Sequence, residues 1–247
     1  MKAESVHQIR LLDLQEIDTR LDQLDHRARN LPEIAEVQRL DARITELHER
    51  VVAAETELSD LGREQRKAES DVEQVRNRAE RDSKRLDSGQ VSSPKELENL
   101  QSEIASLHQR QSELEEVVLD VMERREAAEQ RRAQRQQELD SVRAERDEVE
   151  ERRSSTLLEI EADRASASDR RARVVADLPQ DLLDFYTKLR EQYAGVGAAA
   201  LHYGRCEGCK LALSPAELAD IRHAPDDEVR RCEQCQRILV RTSSSGL

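Results

Sequence analysis

Four cysteines are the residues whose type and spacing could do chemistry, and they fall in two pairs, Cys206-Glu207-Gly208-Cys209 and Cys232-Glu233-Gln234-Cys235. A two-residue gap lets both thiolates of a tight turn face one ion, and two such turns supply the four soft ligands of a closed tetrahedral zinc site. A site of that kind is structural, because no coordination position is left open for water or substrate. The spacer, residues 210–231, slightly exceeds the usual window of roughly 15 to 20 residues. It contains a helix signal, Ser214-Pro215-Ala216-Glu217, that takes up the extra length.

Two other chemistries use paired cysteines. A disulfide framework suits small secreted domains, but the first 30 residues are charged throughout and hold no apolar signal segment. A thioredoxin-like redox pair needs one CxxC opening a helix after a strand, whereas two copies here flank a short polar module. His202 and His223 lie nearby and could replace a thiolate; with four cysteines in place they read as ordinary surface or strand residues. The expected cofactor is therefore one structural Zn2+ per chain, held by Cys206, Cys209, Cys232 and Cys235.

The elements that position this site must come from an unusual composition. Charged residues make up 38% of the 247, aromatics 2%, and there is no Trp, so one large globular core of ordinary composition is excluded and an elongated chain is expected. No run approaches the roughly 18 apolar residues needed to cross a bilayer. Reduced thiols, zinc and the lack of a targeting segment predict a cytoplasmic protein with no membrane partner. The formal charge of -13 argues against charge-driven nucleic-acid binding by the molecule as a whole.

Sustained periodicity separates this chain from a disordered one. From Ile44 apolar positions step by three and four through Leu47, Val51, Ala54, Leu58, Leu61, Gln65, Ala68, Val72, Val75 and Ala79 to Leu86. A second seam runs from Leu97 through Leu100, Ile104, Leu107, Gln111, Leu114, Val118 and Val121. Between them, residues 87–93 carry Gly89 and read as a turn, and Ser93-Pro94-Lys95-Glu96 restarts the helix as a capping box with Pro at the first helical position. Upstream, Leu14, Ile17, Leu21 and Leu24 form a shorter seam that stops at Asn30-Leu31-Pro32, where Asn can turn left-handed and Pro cannot continue the incoming helix. Helices are thus expected over about 4–30, 32–86 and 94–175. The first two together match the third in length, so the third can run back along both.

Beyond Val121 the second seam becomes basic: Arg125, Arg132, Arg135, Arg146 and Arg153 occupy core-spaced positions among Ala128, Leu139, Val142, Val149 and Ile160. Their stems can line the seam while the guanidinium groups reach water or acids across the hairpin, such as Glu46 and Glu49. The sharper alternative is a groove that docks a partner or a third helix.

The post-turn segment SSPKELENLQSEIASL, the linking segment LPQDLLDFYTKLREQYAGVGAAALHYGRCEGC and the terminal segment CEGCKLALSPAELADIRHAPDDEVRRCEQCQRILV together resemble the bacterial family with an N-terminal helical hairpin and a C-terminal C4-type zinc ribbon. The resemblance spans nearly the whole chain. It departs at Gln236, where many zinc knuckles have Gly, and a less tight second turn is expected. The resemblance implies binding to protein partners, in some members secretion, flagellar or sigma-factor components, with RNA a further one; it implies no catalysis.

The fold expected is mainly α, a long antiparallel coiled-coil hairpin (1–177, turn near 87–93), a linking helix (178–197) and a small zinc ribbon (198–247). Within the ribbon, strands are expected at 198–203, 228–231 and 238–241, with a short helix at 215–223. Such a module is too small for a core of its own, so the metal should stabilise it directly. No Ser–His–acid set, phosphate loop or HExxH motif is present, so neither an enzyme nor a small-molecule substrate is expected. The function expected is that of an adaptor or regulatory scaffold docking partner proteins. The alternative is a regulator that binds DNA or RNA through the ribbon. Residues 196–247 hold seven basic and seven acidic side chains, a mixture that favours a protein surface over a phosphate backbone. Candidate partner contacts are Arg230, Arg231, Arg237 and Arg241 around the second knuckle, and Val91, an apolar residue in the polar hairpin turn.

Overall fold

The computed structural model describes residues 1–89 and 91–247. In chain order the elements are α1 (Ser5–Arg29), α2 (Pro32–Asp87), α3 (Pro94–Ala176), α4 (Gln180–Gln192), β1 (Ala198–His202), β2 (Arg205–Cys206), α5 (Pro215–His223), β3 (Arg230–Arg231) and β4 (Ile238–Val240). They divide into two compact units, Ala35–Glu150 and Met1–Ile34 with Glu151–Leu247.

The Ala35–Glu150 unit is the two-seam coil. Leu47, Val51, Ala54, Leu61, Ala68 and Ala79 of α2 are buried, as are Leu100, Leu114, Val121, Ala128, Leu139 and Val149 of α3. Ion pairs between the helices fix their sense, because Arg43–Glu138, Arg131–Glu57, Arg124–Glu64 and Arg78–Glu103 ascend on one helix while descending on the other. The helices are antiparallel. The seam arginines behave as amphipathic stems, but their partners differ from those expected. Arg132 reaches Glu55 at 2.9 Å, Arg146 reaches Asp41 at 3.3 Å, and Arg135 donates to the Arg50 carbonyl at 3.1 Å. Glu46 is held instead by Arg43 and Arg50 of its own helix, three and four residues away where helical neighbours meet. Exposed pairs of this kind add little stability; their effect is on register.

The turn follows Asp87, with Gly89 at φ 67°; Gln90 lies outside the described residues. Val91 is only 9% exposed. An apolar side chain in a short link between two helix ends can fold against those ends, which removes the premise of an unburied Val91. Gly62 sits inside α2, where Gly costs about 1 kcal/mol relative to Ala. An added Cβ would meet only Arg66 Nη1, at 3.7 Å.

The second unit joins the hairpin base to the ribbon. Asn30 ends α1 without turning left-handed (φ -121°). Its backbone N–H donates to His26 O and Arg27 O, and its side-chain Nδ2 donates to His26 O at 2.7 Å, satisfying the helix end in another way. The sheet order is β2-β1-β4-β3, with β1 and β4 parallel and both outer pairs antiparallel. Strand alternation then divides the ribbon between two cores. Ala198, Ile238 and Val240 pack with Leu11 and Leu14 of α1 and Leu182, Tyr186 and Leu189 of α4. Ala199, Leu201 and Leu239 face Leu213, Ile221, Cys206 and Cys232. The N-terminus is strapped on as well, with Ala3 N–H donating to Asp227 O at 2.7 Å. The expected boundary at 197/198 therefore cuts through a core that the ribbon shares with α1 and α4.

Buried polar groups lock this joint. Asp18 of α1, 2% exposed, accepts from Tyr186 Oη at 2.8 Å and Arg171 Nε at 2.6 Å, and lies 3.5 Å from Arg190 Nε. Gln15 Oε1 accepts from the Gly197 N–H at 2.7 Å, and its Nε2 donates to Gly195 O at 2.8 Å. Burial, then the charge of Asp18 and its hydrogen bond, push the Tyr186 phenol far above its usual 10.0. A phenol held neutral in the fold while the unfolded chain ionises contributes stability that is intact below pH 10 and lost as pH rises beyond it. Chemical denaturation between pH 8 and 11 should show that loss, with a shallower slope in Tyr186→Phe.

Candidate metal centre

The first knuckle follows the β1–β2 hairpin, and the second lies between β3 and β4. In each, the backbone N–H four residues after the first cysteine donates back to that cysteine's carbonyl: Lys210 to Cys206 at 2.7 Å and Gln236 to Cys232 at 2.8 Å. Both donors are left-handed, Lys210 at φ 63° and Gln236 at φ 61°. The second turn is as tight as the first, so Gln236 tolerates the conformation expected to need Gly. The Gly208 position is the constrained one, because a Cβ there would come within 2.9 Å of Arg237 Cδ and 3.0 Å of Ala199 Cβ. Close packing of the knuckle on β1 explains it.

The four sulfurs lie within 4.8 Å of one another, with Cys206–Cys235 at 3.8 Å and Cys209–Cys232 at 3.9 Å. Zinc–sulfur bonds of about 2.3 Å imply a tetrahedral edge of about 3.8 Å. The donor set therefore fits Zn2+ in size and in softness. Its electrostatics also call for a cation. Burial pushes the Cys206 thiol up to about 12 and raises Cys232 too. At Cys235 burial also opposes the thiolate, but hydrogen bonds from Arg237, and then from Cys232 and Cys206, bring the thiol down to about 7. A divalent ion at the centre offsets the burial penalty at Cys206, Cys232 and Cys235. His202 is exposed and edge-on to Tyr203, and His223 is exposed with Nδ1 donating to Ala219 O at 2.7 Å; neither belongs to the cluster.

The arginines assigned to partners are largely engaged within the chain. Arg237 donates to Val196 O and Tyr193 O, both at 3.0 Å, and covers the Tyr193 ring at 5.6 Å. Arg241 donates to Ile221 O, Ala224 O and Pro225 O at the end of α5, satisfying carbonyls that the helix leaves open. Arg230 is paired with Glu228 at 3.0 Å and Asp220 at 3.1 Å. Arg231 alone of the four is exposed, although its Nε donates to Gln236 O at 2.9 Å. These side chains brace the knuckle rather than offering a free basic patch. Arg237→Ala should weaken zinc binding by about 10- to 100-fold, as loss of a supporting outer-shell group does, measured by chelator competition.

Sequence reasoning missed Gln15, Asp18, Arg171, Tyr186 and Arg190. The available signal was polar residues at helical spacing from Leu11 and Leu14, on a face that otherwise enters the core.

Residues 14–194 match the model of the CT398-like coiled coil hairpin domain, and residues 205–239 that of the C4-type zinc ribbon domain. The chain is 34% identical to the Mycobacterium tuberculosis protein Rv2229c over 241 residues, covering 98% of each. A solved structure from Mycobacterium smegmatis superimposes with TM-score 0.83 at 34% identity, covering 98% of this chain and 100% of that one. CT398 from Chlamydia trachomatis has the same fold, with TM-score 0.64 at 19% identity over 96% of this chain and 98% of that one. The four clustered thiols are thus the site of one structural zinc, and the chain belongs to the family of CT398-like coiled-coil hairpin proteins that carry a C4-type zinc ribbon.

Proposed function

We propose that this protein is a non-catalytic adaptor of the cytoplasm, in which a coiled-coil hairpin docks partner proteins and a zinc-braced ribbon is anchored at the hairpin base. The observation that carries the reading is the closed set of four thiolates combined with ribbon arginines already paired inside the fold. The metal has no position left for substrate, and Arg230, Arg237 and Arg241 are committed to Glu228, Val196 O and the α5 carbonyls. Among the described residues no helix is long and apolar enough to cross a membrane.

Nucleic-acid binding is the second reading, favoured by Tyr203, which is 73% exposed at the β1–β2 tip and could stack on a base. Titrating the zinc-loaded full chain with random-sequence RNA and duplex DNA near physiological salt separates the two. Weak or undetectable binding is expected; submicromolar affinity with a steep salt dependence would put nucleic acid first.

A further inference from the structure

Two neighbouring depressions lie on one side of the Ala35–Glu150 unit. The first, of 400 Å³, is lined by Leu58, Ser59 and Gly62 of α2 together with Arg125 and Glu129 of α3. The second, of 420 Å³, is lined by Leu119, Met122, Glu123 and Glu126 and shares Arg125 and Glu129 with the first. They adjoin at Arg125 and Glu129, which line both, and are taken together as one groove. Leu119 and Met122, one helical turn apart, are 59% and 47% exposed on its wall, beside the buried seam rather than in it. Gly62 lines the first depression, where only Arg66 approaches the space a side chain would fill. Nothing inside the chain requires a glycine there, but a closely approaching backbone from outside would.

The charge of the lining selects the occupant. Four carboxylates (Glu55, Glu123, Glu126, Glu129) and two guanidiniums (Arg66, Arg125) face the groove. Arg125 is held by Glu129 at 3.2 Å and Gln65 at 3.0 Å, and Glu55 by Arg132 at 2.9 Å. Among the described residues Glu123 and Glu126 form no ion pair. The lining is therefore mixed, with Leu58, Leu119 and Met122 as its apolar points and an excess of carboxylates around them. We propose that it docks an amphipathic helix of a partner protein, with the apolar ridge against Leu119, Met122 and Gly62 and flanking Lys or Arg side chains directed at Glu123 and Glu126. This assignment rests on the adaptor reading and specifies its partner chemistry.

The probe is an Ala-based peptide of roughly 18 residues, with Leu at i, i+3, i+4 and i+7 and flanking Lys, compared with a twin carrying Glu in place of Lys. Fluorescence anisotropy with the zinc-loaded full chain at about 0.15 M salt should show the Lys peptide binding at least about tenfold tighter. Leu119→Ser combined with Met122→Ser should weaken it by about tenfold or more. Gly62→Ala should weaken it while raising Tm by about 2–4 °C, a divergence that a merely structural glycine would not produce. No binding of either peptide, equal binding of both, or Gly62→Ala leaving affinity unchanged would overturn the assignment. So would sedimentation showing a dimer that Leu119→Ser with Met122→Ser dissociates, since the occupant would then be a second copy. Capture of the same partner proteins in cells by the Leu119→Ser, Met122→Ser chain would remove the groove and leave the adaptor reading intact, whereas no protein capture by the unmodified chain would remove the adaptor reading itself.

Discussion

Cys232→Ser is expected to abolish stoichiometric zinc binding and to unfold the ribbon together with part of the hairpin base. Structural zinc contributes about 10–16 kcal/mol in small zinc-finger peptides, more than a module of this size gains from its own core. Two consequences differ in reach. The core of Ala199, Leu201, Leu213, Ile221 and Leu239 is built directly on Cys206 and Cys232, so it should collapse. Ile238 and Val240 belong to the core shared with α1 and α4, so protection of 180–192 should fall as well. The Ala35–Glu150 coil has its own seam and should keep its helix. Metal analysis with hydrogen exchange reads all three; full zinc retention would refute the ligand set, and unchanged protection of α4 would refute the shared core.

The second large effect is expected at Asp18, which no metal argument predicts. Asp18→Ala removes the acceptor shared by Tyr186, Arg171 and Arg190. Breaking a buried ion pair from one side costs about 3–5 kcal/mol. Arg171 and Arg190 retain 37% and 26% exposure, so solvent recovers part of this and roughly 2–4 kcal/mol is the expected loss. Asp18→Asn keeps an acceptor for Tyr186 and should lose less. Urea denaturation followed by a probe on α4 checks both; equal stability of Asp18→Ala and the unmodified chain would show that the network is dispensable.

Local chemistry explains which parts of this molecule could be read from its sequence. The four cysteines and α5 were legible because short-range rules define them: the two-residue gaps, and the Ser214–Glu217 capping box that the structure forms in full. The α2 and α3 seams were legible because a heptad pattern keeps one face of each helix turned to its partner, with every apolar step buried or half-buried. The joint was not, because Gln15, Asp18 and Tyr186 meet only when α1 and α4 are brought together over more than a hundred residues of chain. Nor was β2, two residues long, which pairing with β1 creates without any β propensity of its own. The ribbon arginines misled for a related reason. Charge is visible in sequence, but the carbonyls of α5 and the 193–196 loop that absorb Arg241 and Arg237 are placed only by the fold.

The central claim, that the hairpin docks partner proteins, is tested most directly in the native cell. Cross-linking the tagged full chain, with and without Leu119→Ser and Met122→Ser, and then purifying it with and without nuclease should recover a defined set of proteins by mass spectrometry. The account predicts that the set survives nuclease; recovery that disappears on nuclease treatment, or yields nucleic acid without protein, would contradict it.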